Sequence, residues 1–308
     1  MSNYWSQYWQ QGHLTSFGED IKGNYSGPLK QVWQALFAPL NESHRVLDIA
    51  TGNGALVSLL YDDNIQNSLP AVDAIDLAKL QIESSLLTRS ETTKFHDHVN
   101  AEELPFTDDC FDLIVSQFGI EYANWNKTLV HVARCLKPGG KAQFVVHNSE
   151  STIVKPNSAI LKMNIELAKK GGPIDTLKSL CQTLQKQGKG APLAEKHRNK
   201  LNKIMNKLVQ QDEYAFKATN FHLLARSCMQ SISQIEQVSS LFSAFESERK
   251  GSVERLSDLI NAAVDDKQKR KITQLIAVNG LKLELFDVVS NEQNLPLAWQ
   301  IQLVKPLK

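Results

Sequence analysis

Two acidic residues and a pair of glycines frame the chemistry open to this chain. The run Arg45-Val-Leu-Asp-Ile-Ala-Thr-Gly-Asn-Gly-Ala-Leu56 sets Asp48, Gly52 and Gly54 between an apolar strand (Val46, Leu47, Ile49) and an apolar helix start (Leu56, Val57, Leu59, Leu60). Glycine lets backbone come close to a ligand, because no Cβ intervenes and positive φ costs little. The helix start that follows offers unpaired N–H groups. A further carboxylate, Asp76, closes the next apolar run, Ala71-Val-Asp-Ala-Ile-Asp76, at 76 − 54 = 22 residues beyond Gly54. At that spacing an acid ending the second strand of a βαβ unit takes both hydroxyls of a ribose. Asp73 competes for the role if the strand ends earlier. The pattern predicts a ligand built on adenosine.

A dinucleotide fingerprint anchored on Gly52 and Gly54 would place its third glycine at Val57, and no Gly-x-x-x-x-Gly-Lys-Ser/Thr run exists. Asp48-Ile-Ala50-Thr-Gly52-Asn-Gly54 resembles instead motif I of the class I S-adenosylmethionine-dependent methyltransferases, Asp-x-Gly-x-Gly-x-Gly, with Ala50 for the first glycine. Alanine, the next smallest residue, fits there unless the position needs positive φ. Asn100-Ala-Glu-Glu-Leu-Pro-Phe-Thr-Asp-Asp-Cys-Phe-Asp112 resembles the family's loop after strand three, which usually begins Asp-Ala and meets adenine. Asn100 holds the acidic position, and its amide oxygen can still accept from the adenine amino group. Leu113–Gly119 reads as strand four, and Ala133–Gly140 as a helix end with a Pro-Gly-Gly turn leading into strand five, Lys141–His147.

The resemblance covers about residues 44–148 and is closest to bacterial small-molecule methyltransferases of the ubiquinone/menaquinone-biosynthesis type. It implies S-adenosylmethionine as cofactor and an α/β fold, a Rossmann-like seven-stranded sheet with a terminal antiparallel hairpin. It also implies a cofactor site. Ala50, Gly52 and Gly54 would lie near the methionine half, and Asp76 at the ribose. Asn100 with the Ala101 and Glu102 backbone would meet adenine, and Gln117 and Phe118 would face the methionine moiety. Asp48 either orients the glycine turn or reaches the cofactor amine.

Methyl transfer is an in-line displacement that needs alignment and exclusion of water. A general base is required only when the acceptor arrives protonated. His147 at the end of strand five, and Glu121 and Tyr122 just past strand four, are the candidates. His96 and His98 flank Asp97 without a further ligand nearby, so no metal site is expected. Ser-Gln-Phe-Gly119 replaces the Asn/Asp-Pro-Pro-Tyr run of enzymes that methylate exocyclic amino or amide nitrogens.

The surrounding elements divide the chain. Residues 1–43 hold aromatics (Tyr4, Trp5, Tyr8, Trp9, Phe17, Tyr25) and an amphipathic helix with Leu29, Val32, Trp33, Leu36 and Phe37. The aromatics either fold over the cofactor cleft as a lid or pad the sheet; left in solvent they would be a sticky patch. Residues 44–149 and 278–308 form the methyltransferase domain, the latter as a hairpin like strands six and seven. Residues 150–277 read as a helical insertion between strands five and six that caps the substrate. Its stripes are Ile160, Met163, Ile165 and Leu167, then Leu201, Ile204, Met205 and Leu208, then Leu256, Leu259, Ile260 and Val264.

Charge separates the parts too. Residues 151–285 carry 22 Lys+Arg against 13 Asp+Glu (22 − 13 = +9), and the remainder 12 against 20 (−8), giving the net +1. The basic surface is either merely solvated or attracts an anionic partner. A small-molecule acceptor is the first expectation, since the net charge is near neutral and no aromatics interleave the lysines. The alternatives are an RNA methyltransferase gripping its substrate through Lys196, Arg198, Lys200, Lys203 and Lys207, or a non-catalytic cofactor-binding scaffold. Four cysteines without C-x-x-C spacing fit a reducing compartment. The N-terminus lacks a signal-peptide pattern, and no run is long enough to cross a bilayer, so a cytoplasmic protein that does not enter membranes is expected.

Overall fold

The computed structural model describes residues 4–16, 23–63, 69–89 and 91–307. Phe17, grouped above with the N-terminal aromatics, lies outside them. The chain divides into two compact units, Met1–Thr152 with Ala262–Lys308, and Ile153–Asn261.

The first unit runs through α1 (Tyr4–Trp9), α2 (Pro28–Phe37), β1 (Arg45–Ile49), α3 (Ala55–Asp63), β2 (Ala71–Ile75), α4 (Ser84–Leu87), β3 (Thr93–His96), β4 (Phe111–Gln117), α5 (Trp125–Cys135) and β5 (Leu136–His147). The helices α6 (Val154–Leu167), α7 (Pro173–Gln187), α8 (Pro192–Gln211), α9 (Glu213–Ala218), α10 (Phe221–Gln230) and α11 (Ile235–Ala262) follow. Then come α12 (Asp266–Val278), β6 (Lys282–Ser290) and β7 (Pro296–Val304).

The seven strands form one sheet in the order β3-β2-β1-β4-β5-β7-β6. The first five pair in parallel, and β7 runs antiparallel to both β5 and β6. This is the Rossmann-like sheet with a terminal hairpin that the sequence predicts. In β1 and β2 every residue after the first is buried, as in a parallel sheet covered on both faces. β6, at the sheet's edge, keeps exposed positions along its length. The chain reverses direction of travel between β1 and β4, and a switch of this kind opens a crevice at the strands' C-terminal ends. Beneath it, Leu47, Ile49, Ile114, Phe144 and Ile301 form the centre of the core. α2 starts at Pro28, whose missing N–H costs nothing there, and buries Leu29, Trp33 and Phe37 at helical spacing.

Three local expectations change. The Pro-Gly-Gly turn does not precede β5 but lies inside it. The pairing jumps from Phe111↔Leu136 to Leu113↔Lys141, and Gly139 takes φ +80° in the irregularity. Gly139 N–H donates to the Lys305 carbonyl at 2.8 Å, so these residues pair with chain beyond β7 instead of turning free. α12, placed by its helical period in the 150–277 insertion, belongs to the sheet-bearing unit, and the helical unit spans 153–261. Ile272 and Ile276 join the sheet's core, and periodicity reports that a helix has a buried side without saying which core takes it. Val264 joins that core as well.

The helical unit has a core of its own. Met163 and Leu167 of α6 pack with Leu177, Leu201, Leu208, Phe221 and Phe242, and Ile160 and Ile204 sit at its margin. Ile165 is off the expected stripe and 49% exposed, because two residues from Met163 is the far side of a helix. No helix among the described residues is long and apolar enough to cross a membrane.

Candidate functional site

A pocket whose empty space is about 700 Å3 with the adjoining open solvent included lies at the C-terminal ends of the strands. Ala50 follows β1, Ile75 to Ala78 end and follow β2, and Val99, Asn100 and Ala101 follow β3. Phe118, Gly119, Tyr122 and Ala123 follow β4, and Trp5, Trp9 and Ser16 complete the lining from the N-terminal segment. A smaller cavity of about 330 Å3 holds Asp48, Thr51, Tyr25 and Gln117. Trp9, Ser16, Ala50 and Phe118 line both cavities.

The glycine turn is as tight as its composition predicts, with Gly52 at φ +54° and Gly54 at φ +88°. Ala50 also stands at φ +55°, so the position does need positive φ and the alanine bears strain of about 1–2 kcal/mol. Its methyl fits because the facing residue is Gly119. A Cβ on Gly119 would fall 2.4 Å from that of Ala50. A Cβ on Gly52 would fall 2.6 Å from the Trp9 ring, and one on Gly54 2.7 Å from Leu86. Neither Gly52 nor Gly54 lines the pocket; Gly54 serves the packing of α3 against its neighbours.

Asp76 lines the pocket and is anchored at both oxygens. It accepts the Gly52 N–H at 2.9 Å and the Ala78 N–H at 2.8 Å. Burial holds its carboxyl above the ordinary range, against those backbone bonds. The rival Asp73 is engaged elsewhere, with Arg45 at 2.7 Å and His96 at 3.0 Å. Asn100 accepts the Glu102 N–H at 2.9 Å, which shapes the loop, and lines the pocket together with Ala101. Glu102 turns its carboxylate to the Asn124 N–H and to Lys127, each at 3.0 Å, which pull its pKa below the usual value. It closes the loop onto α5.

Asp48 Oδ2 accepts the Thr51 hydroxyl at 2.6 Å. Its Oδ1 is buried and has no hydrogen-bond partner among the described residues. Burial raises its pKa to about 7; the Thr51 hydroxyl opposes the rise and the nearby Asp76 charge adds to it. Gln117 takes the Trp33 indole N–H on its oxygen.

The three candidate bases separate by depth. Tyr122 lines the pocket and meets the edge of Trp5. His147 is buried, stacked on Phe118 with ring centres 4.4 Å apart, and burial lowers its pKa to about 3. Glu121 accepts the His147 backbone N–H at 2.9 Å, while its Oε2 has no hydrogen-bond partner among the described residues. Burial raises its pKa to about 8, so it is mostly protonated at neutral pH. Neither Glu121 nor His147 lines the pocket.

One side chain that sequence reasoning passed over fixes the N-terminal segment. Asn53, buried in the glycine turn, donates to the carbonyls of Trp9 at 2.9 Å and His13 at 2.7 Å, and accepts the Gln81 N–H at 2.9 Å. Ser6 accepts the Lys79 N–H at 3.0 Å. An asparagine beside two glycines reads as turn chemistry, and nothing local marks its distant partners.

The methyltransferase-domain family model matches residues 22–189, more than half of the chain. The chain belongs to the class I S-adenosylmethionine-dependent methyltransferases. This methyltransferase is 31% identical over 123 residues to the ubiquinone/menaquinone biosynthesis C-methyltransferase UbiE of Xylella fastidiosa (strain 9a5c), covering 38% of the chain and 49% of that protein. It is 33% identical over 118 residues to the enzyme of the same name from Stenotrophomonas maltophilia (strain K279a), covering 37% and 46%. The methyltransferase chain thus spans about half the length of the curated relatives it matches. Among solved structures, a geranyl diphosphate methyltransferase in complex with GPP and sinefungin covers 90% of the chain and 77% of its own, at 9% identity and TM-score 0.45. The YcgJ protein of Bacillus subtilis covers 91% and 98%, at 16% identity and TM-score 0.37. At such scores the fold assignment rests on the strand order itself.

Proposed function

We propose that this protein transfers the methyl group of S-adenosylmethionine to a small-molecule acceptor. The observation that carries the reading is the pair of carboxylates at the two adjoining cavities. Asp76 stands at the larger, and the smaller holds a buried Asp48 oxygen without a hydrogen-bond partner. A buried acceptor left open in this way costs about 1–3 kcal/mol unless a ligand satisfies it, and an ammonium group would. In this reading Asp76 takes the ribose hydroxyls and Asn100 with Ala101 the adenine edge. Asp48 and Gln117 take the amino-acid end, while Ala50, Gly52 and Gly54 shape the turn between them and Glu102 holds the adenine loop shut.

The cofactor supplies an electrophilic methyl carbon on a positive sulfur. The chain's residues align it and keep water out. Tyr122 is the one candidate that touches the pocket, so it meets the acceptor. Glu121 and His147 act through Phe118 as positioning residues. Trp5, Trp9, Phe118 and Tyr122 line the pocket with no Lys or Arg among the described residues of its walls, so a phosphate backbone finds no partner among them. The relatives named above as ubiquinone/menaquinone biosynthesis C-methyltransferases support a small organic acceptor.

One observation favours a second reading. Lys196, Lys200, Lys203 and Lys207 are exposed along one face of α8, as an RNA-binding helix would have them. Incubation with methyl-labelled cofactor and a cell extract separates the readings. Label in organic-soluble small molecules is expected. Label in RNA would replace the acceptor class, and cofactor binding without any turnover would leave a scaffold. Failure of the folded protein to bind S-adenosylmethionine or S-adenosylhomocysteine would overturn the proposal.

A further inference from the structure

A ligand that reaches from Asp76 in the larger cavity to Asp48 in the smaller must pass the wall that both share. Among the described residues that wall consists of Trp9, Ser16, Ala50 and Phe118. Two of its members are aromatic and none carries a charge. Both rings are fixed. Trp9 is 8% exposed and lies against the bare Cα of Gly52, where any Cβ would collide with its six-membered ring. Its backbone carbonyl is tied to Asn53, and its ring packs against Trp5 and Tyr8 at centroid distances of 6.1 and 5.0 Å. Phe118 is held at φ +54° by its own turn and stacks on His147.

In S-adenosylmethionine the atom between the ribose and the amino-acid end is the sulfonium sulfur. Resting on the cofactor reading above, we infer that Trp9 and Phe118 recognise the sulfonium charge through their π-faces, so that Trp9 distinguishes S-adenosylmethionine from S-adenosylhomocysteine. An aromatic face attracts a desolvated cation, tryptophan most strongly, and attracts a neutral thioether less. Methyl transfer removes the positive charge, so the attraction weakens once the product forms. The aromatic residues of the N-terminal segment thereby acquire a role that the cofactor domain alone does not give them: they favour the loaded cofactor over the spent one.

Calorimetric titration of both ligands against wild type, Trp9→Leu and Trp9→Phe tests this. The bond that ties α1 to Asn53 uses the Trp9 carbonyl, so it survives the substitution, and circular dichroism checks the fold. Trp9→Leu should weaken S-adenosylmethionine about fivefold or more and S-adenosylhomocysteine less than twofold, and Trp9→Phe should keep part of the preference. Equal losses for both ligands would show that Trp9 only packs, and unchanged affinities would show that it does not reach the cofactor. Either result overturns the inference while leaving the cofactor reading intact. Binding of neither ligand by wild type would overturn both.

Discussion

Replacing Asp76 with alanine should weaken S-adenosylhomocysteine binding about ten- to a hundredfold. In the proposed site its carboxylate accepts both ribose hydroxyls, and hydrogen bonds to a charged acceptor contribute about 1.5–3 kcal/mol, with 1.4 kcal/mol equal to a factor of ten. The structure adds a second consequence. Asp76 also accepts the N–H groups of Gly52 and Ala78, so the alanine variant loses the clamp between the glycine turn and the loop after β2. Each of these donors, left without a partner, costs about 1–3 kcal/mol, partly offset because a carboxylate already penalised by burial disappears. A lower melting temperature is therefore expected, and the titration must be run well below it. Asp73→Asn is the control. It removes the negative charge that meets Arg45 and weakens the contacts to Arg45 and His96, and should cost some stability while leaving affinity within about twofold. Unchanged affinity in a folded Asp76→Ala protein, or a larger loss in Asp73→Asn, would refute the assignment.

Asp48 should make binding depend on pH. Its folded pKa of about 7 exceeds the model-peptide value of 3.8, so the folded state holds the proton more tightly. Its contribution to stability is therefore greatest below about pH 4, is lost as pH rises towards 7, and is flat beyond. If the ionised form meets the cofactor ammonium, affinity for S-adenosylhomocysteine should rise about tenfold per unit up to pH 7 and level off. Titrations from pH 5.5 to 7.5 in wild type and Asp48→Asn check this, and a flat wild-type profile would count against the role. Gly119→Ala should destabilise by about 1–3 kcal/mol, because its methyl meets that of Ala50. Adding Ala50→Gly should restore much of the loss, and a denaturation cycle showing simple additivity would contradict the contact. Protease cleavage ahead of α2 should slow when cofactor binds, as a lid requires; equal cleavage with and without it favours mere padding.

The parts of this site legible from sequence are those fixed by local rules. A strand, a glycine turn and a helix start follow one another within a few residues, and the acid at the end of the next strand falls at a set distance. Asp48, Ala50 and Asp76 could be placed in the turn and at the strand end for that reason, and Asn100 through the resemblance to the family's loop after strand three. Depth could not. His147 ends β5 and Glu121 lies just past β4, as pocket residues do, yet both are buried away from the pocket, and only the packing of β4 and β5 decides which way such a side chain faces. Trp9 and Asn53 were equally hard to connect, because their bond joins residues 44 positions apart. α12 shows the same limit at larger scale: its apolar stripe is plain, while the core that receives it is not.

The buried layer behind the pocket narrows what the chain can do to an acceptor. A histidine with a pKa near 3 takes no proton at neutral pH, and a carboxyl with a pKa near 8 already carries one. Neither side chain lines the pocket, so neither reaches an acceptor held there without a rearrangement. Their contacts point to another duty. Phe118 is a non-glycine residue at positive φ, a conformation costing about 1–3 kcal/mol that persists only where its surroundings enforce it. The His147 ring supports one face of Phe118, and Glu121 binds the His147 backbone N–H, so the ends of β4 and β5 are tied together behind the strained turn. A neutral Glu121 suits this place, because a charge there would face burial without a cation to balance it. The site is thus built to hold an aromatic wall still. An enzyme that works by alignment, on an acceptor already nucleophilic or easily made so, needs that rigidity more than it needs a base.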